Sequence, residues 1–112
     1  FIERFYNYSL ARQSDNSGLD YWKKSLKSKE KNGVEIGIFF FLSPEYQQRA
    51  LSDSQMVKSL YLTFLNREPD SAGLNYWVER MQNSLSKKDL IGGFAYSSEF
   101  SNIALEYGIE AH

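Results

Sequence analysis

A chain of 112 residues, 42% hydrophobic and 24% charged, can bury the core of one ordinary domain; this excludes a disordered segment and sits near the small end for a two-part architecture. Thirteen lysines and arginines against 14 aspartates and glutamates leave a net charge of -1, so no global field draws in nucleic acid or an anionic lipid surface. The lack of cysteine excludes disulfides, zinc ribbons and thiol catalysis, and no apolar stretch nears the ~20 residues of a membrane span; the longest, residues 36–42, is broken by Gly37.

The chain opens inside a helical pattern, Phe1-Ile2-Glu3-Arg4-Phe5-Tyr6, with Phe in place of Met. That opening sets the expectation of a piece of a longer protein, with any export signal outside it. Asp15 is the predicted N-cap of a second helix, because a short carboxylate can accept from free first-turn N–H groups, and Leu19, Trp22 and Leu26 make its apolar stripe. Lys23, Lys24, Lys27, Lys29 and Lys31 are expected on its solvated side and tail. Asn32 with Glu35, and Ser43 with Pro44 behind it, mark the starts of a third and a fourth helix, the first pair reading as a capping box.

Ser52-x-x-Gln55 restarts the pattern, and Met56, Val57, Leu60, Tyr61, Phe64 and Leu65 form the stripe of a fifth helix. Asp70 caps a sixth that carries Leu74, Trp77, Met81 and Leu85; Ser86 with Asp89, a second box-like pair, starts a seventh and Ser97 an eighth. Residues 34–42 could pass for a strand, but their counterpart 90–96 holds two glycines and follows a Ser-x-x-Asp start, which predicts helix.

The second half repeats the first. Residues 1–12 align with 56–67 at an offset of 55 (67 − 12), and Asp15, Gly18, Leu19, Tyr21 and Trp22 recur as Asp70, Gly73, Leu74, Tyr76 and Trp77. One deletion shifts the offset to 54 (94 − 40), after which Phe40 matches Phe94, Glu45 matches Glu99 and Tyr46 matches Phe100. The expected fold class is all-α: two tandem copies of a four-helix unit, about 1–51 and 52–109, packed as one pseudo-twofold helical domain.

Repetition marks Arg12, Asp15, Gly18 and Trp22, with Arg67, Asp70, Gly73 and Trp77, as a structural motif. Each aspartate is expected to cap a helix while held by the loop arginine before it, so that its change to alanine costs about 1 kcal/mol. A calcium loop is not expected: residues 15–20 are oxygen-rich but lack the ligand spacing and final bidentate glutamate, and Ser71 and Asn75 replace Asn16 and Asp20. Gly18 and Gly73, three residues after each cap, imply close approach of the preceding helix. Both tryptophans are expected as core anchors, each worth about 3–5 kcal/mol against alanine. Neighbouring helical residues point about 100° apart, so Tyr21 and Tyr76 fall at the edge of the buried face and form the candidate platform for a sugar ring.

The copies differ at Phe39, Phe40 and Phe41, which stand against Gly93, Phe94 and Ala95. Three consecutive aromatics cannot share one helix face, so Phe39 and Phe41 are either buried between the copies, which is the expectation, or exposed as a partner contact. Catalysis is hard to assemble: the single histidine, His112, is the last residue and expected to be disordered, and no carboxylate pair stands out beyond capping. Neither a metal nor a cofactor nor an enzymatic role is expected.

The doubled motif, fullest in Arg67-Glu68-Pro69-Asp70-Ser71-Ala72-Gly73-Leu74-Asn75-Tyr76-Trp77, resembles the bacterial family called domain of unknown function 4214. The likeness takes in Phe1 to Tyr6, Gly33-Val34-Glu35, Phe40, Ser43-Pro44-Glu45-Tyr46, Ser98-Glu99-Phe100 and Tyr107-Gly108-Ile109, and departs at Gln13-Ser14, which replace Glu68-Pro69. It implies an accessory module of large exported or surface proteins, an extracellular or cell-surface setting, and no catalytic residues. The expected function is a non-catalytic interaction or spacer module, monomeric when isolated, supporting surface attachment or contact with a protein or cell-surface glycan. The alternative is a carbohydrate-binding module that uses Tyr21 and Tyr76.

Overall fold

Short polar side chains start seven of the eight helices, as the sequence predicts. The computed structural model describes residues 1–112 and contains no strand. After α1 (Ile2–Phe5), Asp15 caps α2 (Asn16–Lys27), Asn32 caps α3 (Gly33–Phe41) and Ser43 caps α4 (Pro44–Gln48). Ser52 caps α5 (Asp53–Leu60), Asp70 caps α6 (Ser71–Gln82), Ser86 caps α7 (Lys87–Ala95) and Ser97 caps α8 (Ser98–Tyr107). None of these helices is long and apolar enough to cross a membrane.

The expected capping boxes at Asn32/Glu35 and Ser86/Asp89 are only half formed. Each cap side chain accepts from the third residue's N–H, at 3.0 Å in both cases, but no bond returns to the cap backbone. Glu35 turns to Lys31 Nζ at 3.4 Å instead, and the aspartate side chain is a methylene shorter than the Glu or Gln of a reciprocal box. The reciprocal pair stands at Ser52 and Gln55, with bonds of 3.2 and 2.9 Å.

A feature with no signature in the sequence ends the first helix of each half. α1 and α5 run on into π-helical turns, Tyr6–Leu10 and Tyr61–Leu65, which stop at left-handed Ala11 and Asn66. A π turn breaks the regular ladder and leaves carbonyls open to other donors. Arg49 Nη1 donates to the carbonyls of Tyr8 and Ser9 at 3.2 and 2.6 Å, and Arg4 Nε donates to that of Thr63 at 3.0 Å. Tyr8 and Thr63 occupy equivalent positions, so the same opened carbonyl is served from the turn after α4 in one half and from α1 in the other, and Arg4 ties the first half to the second.

The core is a cluster of rings. Phe64 lies at 5.2 Å from Phe5 and 4.9 Å from Phe100, edge-on in both cases, while Phe40 and Phe41 each meet Phe5. Phe41 is completely buried, which corrects its candidacy as a partner contact: on a helix it points to the side away from Phe39, where Phe5 and Tyr46 enclose it. Tyr46 stands where the second half has Phe100; its buried hydroxyl has no partner, and burial pushes its pKa up to about 12.

α3 packs against α7 because Gly37 lets them approach. A Cβ there would lie 2.7 Å from Phe64 and 2.8 Å from Ile91, both fully buried and unable to yield. At Gly92, by contrast, a Cβ would meet nothing within 4 Å. Gly37→Ala is therefore expected to destabilise by about 1–3 kcal/mol through overpacking, and Gly92→Ala to stabilise by about 0.5–1 kcal/mol through helix propensity. Urea unfolding of the two variants should show midpoints displaced in opposite directions.

Candidate functional site

The repeated loop motif is a clasp. Asp15 accepts from the Gly18 N–H at 3.1 Å and the Ser17 hydroxyl at 2.9 Å, and these bonds, the hydroxyl's first, hold its carboxyl below the ordinary value. Asp70 accepts from the Gly73 N–H at 2.7 Å. At Gly18 a Cβ would collide with the Tyr6 hydroxyl, and at Gly73 it would lie 2.6 Å from that of Tyr61, so each glycine admits the tyrosine of the preceding π turn. Burial and the nearby Asp15 carboxylate push the Tyr6 phenol up.

The arginines do not hold these aspartates, contrary to the sequence reading. Arg12 forks onto Glu45 at 2.9 and 3.3 Å and Arg67 onto Glu99 at 2.8 and 2.9 Å, while Arg12 comes no nearer than 4.0 Å to Asp15. The capping oxygens are already used, and two parallel bonds to a glutamate suit the planar guanidinium better than one lateral contact. Each arginine also lies over the ring of the same tyrosine, at 5.2 Å from Tyr6 and 5.1 Å from Tyr61. The Arg67 bonds hold the Glu99 carboxyl below its usual range. Both pairs are about half exposed, which limits each to ~0–1 kcal/mol. The clasp joins the end of the first helix to the fourth, and its polar atoms are occupied in doing so.

The aromatic residues separate into buried and presented ones. Tyr21 and Tyr76 are exposed on the outer faces of α2 and α6, and Phe39, at 57% exposure, stands on α3 beside Tyr21. The ring of Phe39 lies 5.2 Å from that of Trp22, which is left only 3% exposed. Trp77 is half-buried rather than a sealed anchor, a correction that follows from Gly93: no ring covers the indole there, and Trp77 leans onto the glycine, where a Cβ would meet it at 2.6 Å. The ring of His112 stacks on that of Tyr96 with centroids 4.2 Å apart.

Each exposed tyrosine borders a groove between its helix and the next, and the two grooves differ in kind. The first, about 320 Å³, is lined by Tyr21, Trp22, Lys31, Glu35, Ile38 and Phe39. The second, about 560 Å³, is lined by Tyr76, Glu79, Arg80, Asn83, Ser84, Leu85 and Asp89. Lys31 and Glu35 pair across the first, whereas no side chain of Glu79, Arg80, Asn83, Ser84 or Asp89 hydrogen-bonds or ion-pairs within the protein. Arg80 instead lies 5.2 Å from the Tyr76 ring centroid. Sequence reasoning found the tyrosines but not these polar neighbours; the signal lay in the aligned pairs Lys31/Leu85, Ile38/Gly92 and Phe39/Gly93. No three His, Asp or Glu side chains converge on a point that could hold a metal ion.

These features define an all-α domain in which a helix-capping aspartate, a glycine, a tyrosine and an Arg–Glu fork recur as a clasp. The chain belongs to the family described as Domain of unknown function (DUF4214), whose model matches residues 1–49 and again 38–104. No curated protein and no solved structure matches it.

Proposed function

We propose that this chain is a non-catalytic contact module of a larger exported bacterial protein, and that it attaches that protein to a partner at the cell surface. The observation that carries the reading is Phe39: a phenylalanine more than half exposed, next to exposed Tyr21, where the equivalent position is glycine. A large apolar side chain held out to solvent beside a second aromatic is the composition that contact surfaces concentrate. The residues of the repeated motif are absorbed by the clasp, whereas Phe39 covers Trp22 with part of its ring and leaves more than half of its surface to solvent. Co-sedimentation of the purified domain with bacterial envelope fractions tests it. Phe39→Ala should release the domain at least tenfold while its thermal unfolding stays cooperative; equal retention of wild type and variant would refute the ridge as the contact.

A second reading, carbohydrate binding, is favoured by the groove beside Tyr76. Sugar recognition needs an aromatic face together with donors and acceptors that the fold has not consumed, and Glu79, Arg80, Asn83 and Asp89 supply them there.

A further inference from the structure

The two halves offer a comparison that places the sugar site. Tyr21 and Tyr76 are equivalent, yet what stands opposite them has diverged in a consistent direction. In the first half Ile38 and Phe39 fill the groove wall and Lys31 neutralises Glu35, so the groove is narrow and its charges are spent. In the second half glycines replace both apolar side chains, Leu85 replaces the lysine, and Asp89 is left without a cation. The space beside Gly92 is open: a Cβ would touch nothing within 4 Å. The first groove is thus narrower with its charges paired, and the hollow of about 500 Å³ on the other side of Tyr21 is lined by Arg12, Asp15, Ser17 and Glu45, which the clasp already uses; the second groove is wider and its polar side chains are unpaired.

We propose that the groove of the second half is a glycan subsite that takes an uncharged hexose unit of a polysaccharide, and that the first half carries no such site. This inference rests on the carbohydrate reading above. The apolar C–H face of a pyranose would lie against Tyr76, which is half exposed. The ring hydroxyls both donate and accept: the carboxylates of Glu79 and Asp89 accept hydrogen bonds from them, the amide of Asn83 offers both functions, and Arg80 donates. Two carboxylates against one guanidinium give the groove a net negative charge, which opposes uronic acids and sulfated sugars and leaves neutral hexoses as the matching class. Gly92 is not part of the lining, but it occupies the position from which Ile38 walls the first groove, so a side chain there would enter the open space beside Asp89 and Leu85.

The test is titration of the whole chain with cellohexaose and chitohexaose as neutral probes and with oligogalacturonate as the anionic one, followed by calorimetry and tryptophan fluorescence. A neutral probe is expected to bind saturably. Tyr76→Ala and Gly92→Ile should each weaken that binding at least tenfold, and Tyr21→Ala should change it by less than twofold. Gly92→Ile copies the residue already present at position 38 and enters open space, so its melting temperature should not fall; Glu79→Gln, on the exposed rim, provides a second variant with a lesser loss. Binding that depends on Tyr21 and ignores Tyr76 and Gly92 would overturn the placement while sparing the carbohydrate reading. Binding of oligogalacturonate alone would overturn the ligand class, and failure of all three probes would remove the carbohydrate reading itself.

Discussion

Phe64→Ala is expected to lower the unfolding free energy by about 3–5 kcal/mol, a large fraction of the ~5–15 kcal/mol that a domain of this size has in total. Phe64 comes from the turn after α5, but its ring serves both halves: it meets Phe5 edge-on at 5.2 Å, Phe100 at 4.9 Å and Phe94 at 6.3 Å, and its tip reaches the space beside Gly37. Removing it opens a cavity bounded by α1, α3, α7 and α8 together, and no one of these helices can move inward without losing contacts to another. Phe64→Leu keeps most of the volume and should cost much less, so the two variants separate the cavity from the loss of ring packing. Guanidinium unfolding followed by circular dichroism provides the comparison. A loss under about 1 kcal/mol for the alanine variant would mean that the halves are stabilised independently and that Phe64 does not couple them.

Helix starts were the most legible part of the chain, because a cap is a local chemical event: one short acceptor such as Asp70 or Ser97 satisfies an N–H three residues later. The partner of Arg67 was not legible for the opposite reason. Asp70 is three residues away in sequence, Glu99 is thirty-two, and only the packing of α8 against the turn after α5 brings the latter within 2.8 Å. The π turns were hidden as well, since Tyr61, Thr63, Phe64 and Leu65 are buried residues that an ordinary helix would bury too. Within Phe39, Phe40 and Phe41 the alternation of burial could not be phased from composition; the fold exposes the first and encloses the other two. The groove beside Tyr76 was legible only in part, as its width follows from the side chain missing at Gly92, and an omission carries meaning only once the facing helix is in place.

The tryptophans, equal in the repeat, are expected to be unequal in energy. Trp22→Ala should cost about 3–5 kcal/mol, because its indole is sealed between Phe39 at 5.2 Å and Phe40 at 5.9 Å and almost nothing of it reaches solvent. Trp77→Ala should cost about 2 kcal/mol: its ring lies against Phe94 at 5.3 Å and on Gly93, but it stays half-buried and transfers less apolar surface out of water. The same asymmetry should appear without unfolding. In Trp77→Phe the remaining indole, Trp22, should emit at shorter wavelength and resist quenching by acrylamide, whereas in Trp22→Phe the remaining Trp77 should emit further to the red and be quenched readily. The difference traces to one aligned position, Phe39 against Gly93, so Phe39→Gly should shift the emission of Trp22 toward that of Trp77. Unchanged emission in Phe39→Gly would mean that Trp22 is shielded by the helices themselves, and Phe39 would then have no packing role and stand only as surface.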